Sequence, residues 1–149
     1  MKTESTVIAV KYWLKENRYT VFSQTIDRQC HRLKATQIYG EEPFEIGIEV
    51  SEGNIGCEVS HLVGLLRDSG PALNLVNVIN NRNGFQKIFV DEDHGRLAGR
   101  SQLALGDTAS SQVGAKFEAH LMDLIGKILF VIEQVKGELP YGIKPGKVS

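Results

Sequence analysis

The sequence predicts an α+β domain: a mostly antiparallel sheet of about five strands with helices packed on it, in the order α-βββ-α-ββ-α. Three observations carry that expectation. Phe44, Ile46, Ile48 and Val50 alternate strictly with Glu45, Gly47 and Glu49, as a strand with one buried face requires. Glu41-Glu42-Pro43 and Ser51-Glu52-Gly53-Asn54 bracket that strand with turn-forming residues, and such tight connections join antiparallel neighbours. Beyond Gly106, apolar residues recur at helical spacing as far as Val135.

The elements follow in order. Ser5 and Thr6 are candidate caps for a first helix over 6–16, whose apolar side is Val7, Val10 and Leu14, flanked by Trp13. The β-branched run from Thr6 to Val10 makes a strand the alternative there. From Asn17 to Arg32 no element is assigned: Tyr19, Val21 and Ser23 start like a strand, but the pattern fades into Asp27-Arg28-Gln29-Cys30-His31. Leu33 to Tyr39 reads as a strand of mixed polarity. The Phe44–Val50 strand comes next, and its antiparallel partner begins at Ile55 and runs to Leu62.

Ser69-Gly70-Pro71 starts a helix, because proline at the first helical position gives up an N–H that has no partner anyway. Ala72, Leu75, Val76 and Ile79 form its apolar face, and Asn83-Gly84 ends it. A strand from Phe85 to Asp91 places Phe85, Lys87 and Phe89 on one face and Gln86, Ile88 and Val90 on the other. The turn 91–95 returns the chain along Arg96–Leu105, with Leu97, Gly99, Ser101, Leu103 and Leu105 on one side. After Gly106, Asp107 or Thr108 can cap a helix over 108–136. Val113, Phe117, Leu121, Leu124, Ile128, Val131 and Val135 make one stripe, and Met122, Ile125, Leu129 and Ile132 make a second beside it. One stripe suffices for a surface helix. Two stripes predict burial on two sides, by the sheet and by a homodimer partner, unless the sheet curls over both rows. Met122, Leu124, Ile125, Ile128, Leu129 and Ile132 are the interface candidates.

A chain of 149 residues fits a single domain, taken as 1–136, followed by a Gly- and Pro-rich tail over 137–149 that is expected to be flexible. The net charge of −1 provides no electrostatic footprint for nucleic acid or anionic membrane. The apolar run from Leu121 to Ile132 is too short for a span and carries Asp123 and Lys127, so no membrane segment is predicted. The start lacks the pattern of a signal peptide, and the expectation is a cytoplasmic protein with Cys30 and Cys57 as free thiols.

No motif for chemistry emerges. No two of His31, His61, His94 and His120 stand at i, i+4, and neither H-E-x-x-H nor a phosphate-binding glycine loop is present. G-x-S-x-G is absent too. Cys30-His31 with Cys57 or His61, and the acidic turn Asp91-Glu92-Asp93, are weak metal candidates that ordinary core and turn roles explain better. No cofactor, metal or catalytic set is predicted. If a pocket exists between the sheet and the long helix, Cys57, His61, Asn77 and Asn80 are the polar residues expected to line it.

Val76-Asn77, Asn80, Ile88-Phe89-Val90-Asp91, Gly95, Arg96-Leu97, Arg100-Ser101 and Leu103, followed by the long apolar helix, resemble the YbjN family of small bacterial proteins, described as sensory-transduction regulators. The resemblance covers the stretch from Leu73 to Val135; residues 1–60 fit in outline only, and 17–32 depart from it. It implies a fold similar to type III secretion chaperones, which pair as dimers and hold partner segments. It carries no catalytic residue across, because the family has no settled activity. The expected function is a non-catalytic, regulatory or chaperone-like protein-binding module, dimeric, with an unknown protein partner. The alternative is a small-molecule binder or small enzyme using the pocket.

Overall fold

A computed structural model describes residues 3–64, 70–82, 86–91 and 95–137. The sequence dictates its first element, α1 (Thr3–Glu16), through Val7, Val10 and Leu14 on one face. The helix stops in a left-handed residue, Arg18 with φ 61°, while Tyr19 N–H donates back to the Leu14 carbonyl at 2.9 Å and Arg18 N–H to that of Lys15 at 3.1 Å. This is the Schellman closure, built here without its usual glycine.

Four strands follow, where three were expected. They are β1 (Thr20–Asp27), β2 (Cys30–Tyr39), β3 (Glu42–Ser51) and β4 (Asn54–His61). The unread stretch 17–32 holds β1 and the turn into β2, so the observed order is α-ββββ-α-ββ-α. A bulge explains why β1 escaped notice. Val21 lies opposite Ala35 and Gln24 opposite Leu33, with the register shifting between Val21 and Ser23. Ala35 and Leu33 are both buried on one face of the sheet, so the inward positions of β1 switch from odd to even numbers at Phe22. No period of two survives that switch. The turn Arg28-Gln29 is equally disguised, since Arg28 takes φ 59° where glycine or asparagine would signal it.

The second half matches the expectation more closely. Helix α2 (Gly70–Arg82) buries Ala72 and Val76, and β5 (Gln86–Asp91) pairs with β6 (Arg96–Ala104). The end signal Asn83-Gly84 and the acidic residues Glu92 and Asp93 lie outside the described residues, as does the tail beyond Gly137. The long helix α3 (Val113–Gly137) begins five residues later than 108, after a 3-10 turn over Ser110–Gln112. Neither Asp107 nor Thr108 caps it. Ala109 is the N-cap of that turn and has no side chain to cap it, while Thr108 N–H and hydroxyl both donate to the Leu105 carbonyl.

The six strands form one antiparallel sheet in the order β1-β2-β3-β4-β6-β5. α1 lies over β1, β2 and β3, and α3 lies over β4, β6 and β5, with α2 beside α3 at the β5 end. A single apolar cluster joins all three helices to the inner sheet face, from Val7 through Phe44, Ile46 and Ile48 to Ile132. The alternation in β3 places Phe44, Ile46, Ile48 and Val50 in it, each at most 2% exposed. The outer face is polar and carries cross-strand ion pairs: Arg32 Nε to Glu49 Oε2 at 3.4 Å and Arg100 Nε to Glu58 Oε2 at 3.1 Å. Both pairs are exposed, so they contribute little stability.

Candidate functional site

The four predicted pocket residues do not converge. Cys57 and His61 share the inner face of β4, four residues and so roughly 13 Å apart. Cys57 is buried, and burial pushes its thiol up to about 12, which removes it as a nucleophile at neutral pH. His61 packs on the Phe44 ring and lies 2.6 Å from the Glu42 carboxylate through Nε2. Asn77 is exposed on α2. Among the described residues no three His, Cys, Asp or Glu side chains gather as metal ligands.

Asn80 serves the sheet instead. Its side-chain amide donates to the Ile88 carbonyl at 2.7 Å and accepts from Ile88 N–H at 2.9 Å. β5 is the last strand of the sheet, so Asn80 occupies the place where a further strand would pair. One edge of the sheet is thus covered from within. Asn80→Ala is expected to lower stability by about 1–3 kcal/mol, because both polar groups of Ile88 lose their partner. Chemical denaturation checks this, with the exposed Asn77→Ala as the near-neutral control.

The six interface candidates on α3 sit mostly in the chain's own core. Leu124, Ile125, Ile128 and Ile132 are at most 5% exposed within one chain, and Met122 and Leu129 are half-buried. Helices flank α3 as well as the sheet, so burial within the chain accounts for most of both rows. α1 and α2 both border α3, and Trp13 of α1 meets Phe117 edge-on at 5.2 Å. Sequence periodicity shows how wide an apolar face is, not what covers it.

What remains open is the opposite edge. β1 ends the sheet on that side, and among the described residues no backbone hydrogen bond reaches it from beyond β2. From Thr20 to Ile26 it carries no charged residue and no proline, two of the usual protections of an edge strand, and its bulge lies at Phe22 only. Phe22 is 53% and Ile26 69% exposed. On α1, which neighbours β1, Ile8 and Tyr12 stand one turn apart, also about two-thirds exposed. Tyr12, with Lys11 and Lys15, shares an open groove of ≈ 400 Å³ with Tyr19 and Val21 at the start of β1. Lys11 Nζ bonds Gln24 Oε1 at 3.0 Å and ties helix to strand. Reading the chain for catalytic types could not find this site, because its functional groups are backbone amides and apolar side chains. The signal available was the uncharged run Thr20–Ile26 itself.

A second, smaller feature is a cleft of ≈ 160 Å³ between α1, β2 and α3, lined by Trp13, Asn17, Tyr19, Gln37, Tyr39 and Met122 among others. Trp13 and Tyr19 stack at 5.2 Å between centroids, and Tyr39 extends the row to Phe44. Burial raises the Tyr39 phenol well above its ordinary value, so it stays protonated. On the far side of α3, burial lowers the His120 imidazole, keeping it neutral, while Gln86 donates to the His120 carbonyl at 3.2 Å and accepts from Lys127. These bonds fasten α3 to β5.

No family model matches the chain, and no curated protein does. Among solved structures, the crystal structure of YbjN from E. coli, whose proposed role is transcription regulation, is similar over 90% of this chain and 96% of that one. The TM-score is 0.54 and the identity 15%, which is a likeness of fold. The chain therefore has a YbjN-like fold, and the likeness extends over the N-terminal part that the residue resemblance fitted only in outline. No helix among the described residues is long and apolar enough to cross a membrane.

Proposed function

We propose that this chain is a non-catalytic protein-binding module with a regulatory, chaperone-like role, dimeric and cytoplasmic. The open edge of β1 carries the proposal. A strand edge that is open and uncharged from Thr20 to Ile26 offers a row of N–H and C=O groups to an extended polypeptide, which gains main-chain hydrogen bonds along it. The likeness of fold to a protein with a proposed regulatory role supports the same direction. The net charge of −1 and the alternating ion pairs of the outer face favour neither nucleic acid nor membrane as partner.

Cross-linking of the protein in lysate from its source cells tests this, with mass spectrometry of the linked peptides. Lys11, Lys15 and Lys34 flank the edge and supply the reactive amines. The expected outcome is a polypeptide linked to these lysines, and its loss in Phe22→Lys. If the protein links to no polypeptide there, or holds only a small molecule, the proposal fails. A small-ligand site is the second reading, and the cleft walled by Trp13, Tyr19 and Tyr39 is the observation in its favour.

A further inference from the structure

We infer that the open edge of β1 receives a second copy of this chain, joined antiparallel through β1 about a two-fold axis normal to the sheet; this rests on the protein-binding proposal. Four observations support a second copy, and the third favours it over a lone foreign peptide. First, the edge is compatible with itself. In an antiparallel register of two β1 strands centred on Thr25, Gln24 faces Ile26 and Asp27 faces Ser23, so no two like charges stand opposite each other. Second, the bulge at Phe22 leaves Ser23–Asp27 in regular register with β2, five residues of undisturbed strand available for pairing.

Third, such an axis keeps the helices of both copies on one face of a continuous sheet. The two α1 helices then border the junction, and Ile8 and Tyr12 of each come toward those of the other. A lone extended peptide would leave these four large side chains in water. Fourth, the other edge is closed. Asn80 occupies the hydrogen-bonding groups of Ile88 on β5, so pairing of β1 with β5 of the next copy, which would grow an open fibre, is blocked. An isologous pair that closes on itself is the arrangement left.

The test is light scattering on the purified full chain over a wide concentration range, for wild type, Ile8→Lys/Ile26→Lys and the α2 control Leu73→Lys/Val78→Lys. All four positions are exposed, so the fold has little to lose. Wild type and control are expected at twice the 16.5 kDa chain mass, and the edge variant at the chain mass, its dimer dissociation constant raised about tenfold or more. Should the edge variant not fold, amide exchange on wild type decides: Ser23–Asp27 amides slowed with rising concentration support the pairing, and fast exchange overturns it. A dimer unchanged by the edge variant overturns it as well. A monomer that still cross-links a different protein at β1 overturns the second copy while sparing the protein-binding proposal. A monomer that links nothing overturns both.

Discussion

Leu124→Asp is expected to unfold the chain, not to release a folded monomer. Leu124 is fully buried against Gly99 of β6, at the centre of the face that α3 lays on the sheet. Losing its side chain removes about 2–5 kcal/mol of transfer and packing free energy. A carboxylate left there without a partner adds several kcal/mol more. Small domains hold only about 5–15 kcal/mol in total, so the sum reaches most or all of it. Circular dichroism and a thermal melt check this directly. A soluble, cooperatively melting variant would show that α3 is not the core helix described above, and would return it to the role of an interface.

Gly99→Val is expected to be the next most damaging single change, by about 1–3 kcal/mol or somewhat more. A Cβ at Gly99 would come within 2.7 Å of Leu124 Cδ1 and 3.2 Å of Ile128 Cδ1. Those atoms belong to side chains held on all sides, so α3 must lift from β6 to admit it. The control has the opposite sign. Gly126 lies in the middle of α3 with open space where its Cβ would be, and Gly126→Ala is expected to stabilise by about 0.5–1 kcal/mol. Urea denaturation midpoints of the two variants decide both. Equal shifts in one direction would mean that helix propensity, not the contact with β6, sets the outcome.

The residues that wrote their own structure are those whose period was undisturbed. Phe44, Ile46, Ile48 and Val50 alternate because β3 lies inside the sheet with one face on the core, and nothing interrupts its register. Ala72 and Val76 announce α2 in the same way, as does the stripe from Val113 to Val135 for α3. β1 was illegible because the bulge at Phe22 moves its inward positions from odd to even and because its last residues stand in water on both faces. Both turns that flank β1 use arginine in a left-handed conformation, so the glycine signal that marks Gly53 elsewhere is missing. Asn80 was picked out as polar and near a helix end, which is correct, but its partner is a backbone group on the next strand.

By itself, then, the sequence determined the α+β class, the antiparallel hairpins of the middle and C-terminal strands, the three helices and the width of the apolar face on α3. Local periodicity is enough for these, because each depends on neighbours within a few residues. Only the tertiary structure decided the sixth strand, the helices that flank α3, and the contrast between the two sheet edges. Those depend on which distant segment comes to lie alongside: α1 beside α3, Asn80 beside Ile88, and among the described residues nothing beyond β1. A polar side chain says that it needs a partner and an apolar one that it needs cover. Which segment supplies them is fixed by the path of the whole chain.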